Sequence, residues 1–135
     1  MPSVELPEDV TARLRTELVV WLTTVSADGR PQSSPVWFLW RDGTFLIFSQ
    51  PDAWKVRNLR TNPHVSISLR TDEIGSSVVT FEGTAEMPDG PRGDEVPAYV
   101  EKYEPLIAGE GWTVEWMTGE YSQPIVVTPT RIRVA

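Results

Sequence analysis

Lys55, Arg57, Arg60 and Arg70 fall within residues 51 to 70, and Asp52 is the one acid among them. That island carries a local charge of +3 in a chain whose 12 Lys+Arg and 19 Asp+Glu set the net charge at −7. In an otherwise acidic protein, such an island is a place for a small anion such as a phosphate. The plainer alternative is a solvated helix face. Spacing adds a condition: positions two apart diverge on a helix, so Lys55, Arg57 and Arg60 cannot share one stripe. A phosphate held there would need neighbouring segments to complete its site. Ser33, Ser34 and Ser49 supply hydroxyl donors on adjacent strands, although each taken alone reads as a polar outward position. Pro35, within Ser33-Ser34-Pro35-Val36-Trp37, withholds one N–H from the sheet. The strand there is interrupted, bulged or at an edge, and an interruption would free backbone groups for a ligand.

Other chemistry is scarce. Zero Cys excludes disulfides, thiol nucleophiles and Cys-ligated metals. The single histidine, His64, excludes multi-His metal sites and reads as packed or solvated, with no partner carboxylate in its motif. No metal site and no catalytic side chain are therefore expected. An enzyme built from this chain would leave the hard chemistry to a bound cofactor.

The 135 residues fit one domain, 1–135, and 40% apolar with 23% charged residues is a globular balance. The net charge of −7 argues against nucleic acid or an anionic membrane as partner. The longest apolar runs, Leu18 to Leu22 and Val36 to Trp40, are five residues each. A membrane span needs about 20. Met1 to Glu5 shows neither a basic nor an apolar leader region, so the expected location is cytoplasmic.

Periodicity supplies the elements that must carry these residues. Pro7 to Glu17 reads as a helix with Val10, Leu14 and Leu18 on one face. Leu18 to Val25, Pro31 to Trp40 and Thr44 to Ser49 read as strands joined by Asp28-Gly29 and Asp42-Gly43 turns, an antiparallel meander. A helix opens near Pro51 and Asp52 and is ended by Pro63. Val65 to Leu69 and Val78 to Met87 are strands, with Gly83 marking a bulge or close approach. Asp94 to Ala108 and Trp112 to Tyr121 are helices, and Pro124 to Val134 is a closing strand. Six strands with appended helices predict a mainly β fold, a small antiparallel barrel.

The ordered set Gly29-Arg30-Pro31-Gln32-Ser33-Ser34-Pro35-Val36-Trp37-Phe38, Asp42-Gly43, Phe48-Ser49, Lys55 to Pro63 and Phe81-Glu82-Gly83-Thr84-Ala85 resembles the pyridoxamine 5′-phosphate oxidase-like family of split β-barrels. It looks most like the branch that uses the deazaflavin coenzyme F420. The resemblance covers residues 8 to 87 well and the C-terminal third loosely. It implies a six-stranded antiparallel split β-barrel, a homodimer and two cofactor sites at the dimer interface. It also implies that Gln32, Ser33, Ser34, Pro35, Val36 and Trp37 line the cofactor ring through backbone groups. Lys55 would be the first phosphate ligand, Arg57 and Arg60 the next, and Ser49 a hydroxyl donor, with Asn58 and Leu59 packing the helix. Members often carry another basic residue two before the lysine. Ala53 stands there, and Arg30 is the residue that would make up for it.

The implied activity is hydride transfer between reduced F420 and a small unsaturated or aromatic acceptor. FMN is the alternative cofactor, and a non-catalytic carrier of a flavin, deazaflavin or tetrapyrrole is the alternative role. Arg131 and Arg133 sit in a terminal strand, not in a recognisable substrate-phosphate motif, which disfavours pyridoxamine phosphate oxidation. Trp37 is expected near the ring, and Trp112 and Trp116 at a substrate rim or dimer contact.

Overall fold

A computed structural model describes residues 5–135. Met1 to Val4, the start of the stretch read for a leader, lie outside the described residues. Helix α1, Glu8–Thr16, places Glu8 and Asp9 in its first turn and Arg13 and Arg15 in its last, both favourable to the helix dipole. It buries Val10 and Leu14. Strands β1 (Val20–Val25) and β2 (Pro31–Val36) form a hairpin, as do β3 (Leu39–Arg41) and β4 (Thr44–Ser49). Asp42 and Gly43, at φ 52° and 73°, both take the left-handed conformation that a tight two-residue hairpin turn demands. Helix α2 (Trp54–Thr61) leads to β5 (His64–Ser68) and β6 (Val79–Glu86). A short 3-10 turn, Gly93–Glu95, precedes α3 (Pro97–Gly109) and α4 (Val114–Glu120), and β7 (Gln123–Val134) closes the chain.

Among the described residues, seven strands form one antiparallel sheet in the order β2-β1-β5-β6-β7-β4-β3. β2 and β3 are thus opposite edges of the sheet, yet only Trp37 and Phe38 separate them. Three Cα steps span at most about 11 Å, so the sheet must curl until its edges nearly meet. That is a split barrel.

This corrects two expectations. Pro31 to Trp40 is not one strand but two, which raises the count from six to seven. The meander also fails after its first hairpin, because β4 takes β7 rather than β2 as its second neighbour. The cause is tertiary. The Phe38 N–H donates to the Tyr103 hydroxyl at 2.8 Å, and Lys102 Nζ donates to the Phe38 carbonyl at 2.8 Å. Side chains of α3 thereby satisfy backbone groups that a continuous strand would have paired.

β4 is buried on both faces. Phe45 and Ile47 join the barrel core with Leu22, Ile67, Phe81 and Ile125. Leu46 and Phe48 join a second core with Tyr99, Tyr103, Ile107 and Met117 under α3 and α4. On β6 the register against β7 shifts between Glu82 and Gly83. A Cβ on Gly83 would stand 2.6 Å from the Thr128 carbonyl oxygen, so only glycine lets the two strands approach there. Gly83→Ala is expected to cost about 1–3 kcal/mol of stability by forcing the backbones apart. Urea unfolding checks this, and a loss below about 0.5 kcal/mol would contradict the close approach.

Candidate cofactor cleft

A cleft of about 210 Å³ opens where the two cores meet. The end of β2 supplies Pro35 and Val36, the crossover Trp37, the end of β4 Phe48 and Ser49, and the first turn of α2 Lys55. Tyr99 of α3, Trp112, Met117 of α4 and Tyr121 complete the far wall. One end is therefore polar, with an ammonium and a hydroxyl, and the rest is aromatic and apolar.

The polar end is built by helix geometry. Val56, Asn58 and Leu59 are the buried residues of α2, which turns Arg57 and Arg60 to the opposite, exposed side. Lys55 is half-buried at the edge of the inward face, and burial pulls its ammonium below the usual lysine range. Among the described residues it has no ion-pair partner. Ser49 is buried, and its hydroxyl donates to the Gln50 carbonyl at 2.9 Å. Arg57 lies over the Trp54 ring, 5.5 Å from its centroid, and so stands outside the cleft, as does exposed Arg60. Arg30 is paired with Asp28 at 3.1 Å in the β1–β2 turn and does not line the cleft.

The β2 strand alternates its side chains. Gln32, Ser34 and Val36 sit opposite Thr24, Leu22 and Val20, the buried residues of β1, and so share the inner face. Ser33 and Pro35 sit opposite Thr23 and Trp21 on the outer face, where the Ser33 and Thr23 hydroxyls are 2.6 Å apart. Because β2 pairs with β1 alone among the described residues, half of its backbone groups face away from the ladder. Asn58 Nδ2 donates to Gln32 Oε1 at 2.7 Å and to Thr24 Oγ1 at 2.9 Å, tying α2 to this edge.

Thus the structure gathers Pro35, Val36, Trp37, Ser49 and Lys55 around one cleft. It strings Gln32, Ser33 and Ser34 along the adjoining edge and leaves Arg57 and Arg60 on the outer side of α2. Tyr99, Met117 and Tyr121 carry no functional signal in the sequence, because their apolar spacing matches ordinary core, and Phe48 stands out there only beside Ser49. Trp112 lines the mouth and packs beside Trp116 with ring centroids 5.3 Å apart. His64 is exposed at the head of β5, away from the cleft lining. Among the described residues no group of three or more His, Cys, Asp or Glu is placed to hold a metal, and no helix is long and apolar enough to cross a membrane.

The model of the pyridoxamine 5′-phosphate oxidase family matches residues 6–134. The chain belongs to that family. A curated pyridoxine/pyridoxamine 5′-phosphate oxidase from Bacteroides thetaiotaomicron is 31% identical over 91 residues, covering 67% of this chain and 42% of that protein. The chain thus spans less than half the length of this oxidase. Among solved structures, an F420 reductase superposes with a TM-score of 0.73 at 23% identity, over 95% of this chain and 98% of the other. The haem storage protein HutZ from Vibrio cholerae gives 0.67 at 22% identity, over 94% and 93%. At such identities the two structures share the split-barrel fold with this family member, and the likeness extends no further.

Proposed function

We propose that the cleft and the adjoining β2 edge hold a flavin-type cofactor, coenzyme F420 first and FMN as the alternative, and that the protein is a cytoplasmic oxidoreductase. The observation that carries this is Lys55: a half-buried ammonium with no acidic partner among the described residues, at the polar end of an otherwise aromatic cleft. An ammonium so placed gains by meeting an anion, since a phosphate restores the charge stabilisation that burial removes. Trp37, Phe48 and Tyr99 offer flat apolar surface to a conjugated ring, and the unpaired groups of β2 offer donors and acceptors to its edge.

The divergence of the three cations favours F420. One compact phosphomonoester cannot touch Lys55 inside the cleft and Arg57 and Arg60 on the outer side of α2. A phosphodiester with a polyanionic tail can start at Lys55 and continue past the helix. Bound there, the reduced cofactor would supply a hydride to a small unsaturated or aromatic acceptor. The chain's own part is to hold the phosphate, orient the ring and exclude water.

A volume of about 210 Å³ is small against the roughly 300–1,000 Å³ of complete ligand sites. A second copy of the chain completing the site fits this, and Trp21, 48% exposed on the outer sheet face beside Pro35 and Ser33, is apolar surface such a copy would cover. Sedimentation is expected to show a dimer, and a strict monomer would remove this part of the reading.

The activity is tested by mixing the protein with reduced F420 and a panel of small quinones, enones and nitroaromatics. An oxidoreductase accelerates cofactor oxidation with at least one acceptor. Tight binding without acceleration for any acceptor would point instead to the carrier role. Lys55 adds a pH signature. Its folded-state pKa is lowered, so its charge is lost at a lower pH than that of a solvated lysine. Cofactor affinity should therefore fall on the alkaline side as pH rises through that lowered value, and Lys55→Met should flatten the fall.

A further inference from the structure

The crossover between β2 and β3 has an unusual support. Trp37 and Phe38 belong to no strand, so the backbone groups of Phe38 depend on α3. The Tyr103 hydroxyl accepts from the Phe38 N–H at 2.8 Å, and its one proton can go to the Leu18 carbonyl at 2.6 Å or the Phe38 carbonyl at 2.9 Å. Lys102 already donates to the Phe38 carbonyl at 2.8 Å, which leaves the Tyr103 proton for Leu18. The Tyr103 ring also stacks on Trp37 with parallel planes and centroids 4.4 Å apart. Lys102 Nζ lies 3.7 Å from the centroid of the Phe38 ring and 5.2 Å from that of Tyr103.

We propose that Lys102 and Tyr103 are positioning residues for the cleft: through Phe38 they fix Trp37 as its wall, and the charge on Lys102 sets how firmly it is held. This rests on the cofactor reading only in so far as Trp37 touches the bound ring. The ammonium contributes a charged hydrogen bond and a cation–π contact to the crossover, and both weaken when it loses its proton. Its surroundings make that loss accessible. Burial lowers the Lys102 pKa to about 8, with Glu17 beyond α1 opposing the shift. Lys102 lines a surface groove with Arg15 of α1 and Glu101 of α3, while Leu39 and Trp40 of β3 bring no charge to it. Tyr103, buried, is held far above the usual phenol range and keeps its proton throughout.

The sign of the stability effect separates positioning from simple structural support. With a folded-state pKa below the unfolded one, charged Lys102 is a burden on folding at neutral pH that is relieved as pH rises from about 8 toward the unfolded value. Lys102→Met removes that burden, and Tyr103 can turn its proton to the Phe38 carbonyl, so the fold survives. With these gains and losses offsetting, removing Lys102 should leave thermal stability little changed while loosening Trp37.

The first test uses the protein alone: the indole N–H resonance of Trp37, assigned with Trp37→Phe, is followed by NMR from neutral to about pH 10. The expected result is a shift with a midpoint near 8 that Lys102→Met abolishes. No shift, or the same shift in Lys102→Met, would overturn the proposal. The second test titrates wild type and Lys102→Met with F420 and FMN near neutral pH. The variant is expected to bind about tenfold more weakly, the equivalent of one charged hydrogen bond, with no loss of melting temperature. Equal affinities for a cofactor that wild type binds, or a fall in melting temperature that parallels the weaker binding, would overturn the link from Lys102 to the cleft. If wild type binds neither cofactor, the cofactor reading fails, and the Trp37 titration still decides whether Lys102 positions Trp37.

Discussion

Lys55→Ala should weaken cofactor binding by about 1–3 kcal/mol, a factor of roughly 5 to 150 in dissociation constant. The range follows from where the ammonium stands. An exposed lysine would contribute little to holding a phosphate, because water and salt screen it. Lys55 is half-buried, faces the cleft and has no acid among the described residues to share it with. Its loss should be felt without a loss of fold, since Val56 and Leu59, not Lys55, anchor α2 in the core. Arg57→Ala and Arg60→Ala give the contrast. Both sit outside the cleft, so each should weaken F420 through its anionic tail, with strong salt dependence, and leave FMN nearly unaffected. Isothermal titration of the three variants checks the ordering. Equal losses with FMN for all three would contradict the separation of the cations.

Tyr103→Phe should destabilise the protein by about 1–3 kcal/mol, mainly through the stranded Phe38 N–H. Tyr103 is fully buried, and its hydroxyl is the acceptor that lets the chain leave β2 and begin β3 within two residues. The Leu18 carbonyl also loses its donor, at smaller cost because Leu18 is 40% exposed and water can reach it. Phe retains the stacking surface against Trp37, so the loss reports the hydroxyl and not the ring. Unfolding in urea measures it. A change under about 0.5 kcal/mol would mean that water replaces the hydroxyl and that the crossover does not depend on α3.

The same pair explains what sequence could and could not show. Asp42-Gly43 reads as a tight turn because only residues tolerant of positive φ suit it, and Gly83 reads as a close approach because a strand gains nothing else from a glycine. Pro63 ends α2 for reasons local to the chain. Such features need no knowledge of the rest of the fold. The break at Trp37-Phe38 is different: its partners lie 65 positions away, on Tyr103, and periodicity in Pro31 to Trp40 carries no trace of them. Pro35 marks an interrupted, bulged or edge strand, but nothing local says where the break falls or what satisfies it.

The site divides along the same line. Helical spacing says only that Lys55, Arg57 and Arg60 cannot all share one stripe; α2 burying Val56, Asn58 and Leu59 is what puts Lys55 on the cleft and the two arginines outside it. Tyr99, Met117 and Tyr121 are indistinguishable in sequence from core residues, because a cleft wall and a core face bury the same kind of side chain. Asn58 reads in the sequence as helix packing, and it is buried, but it also fastens Gln32 and Thr24. A buried amide on an otherwise apolar helix face must find partners, and that requirement was the available clue.

On the proposed reading, the cleft holds a deazaflavin-type cofactor by its phosphate and ring. The most direct test is a tryptophan-fluorescence titration of cofactor-free protein with F420, FMN and FAD in parallel, since Trp37 and Trp112 line the cleft. Saturable quenching by F420, tighter than by FMN and much tighter than by FAD, is the predicted result. Tighter binding of FMN would move the protein to its flavin alternative, and binding of none of the three would contradict a flavin-type site.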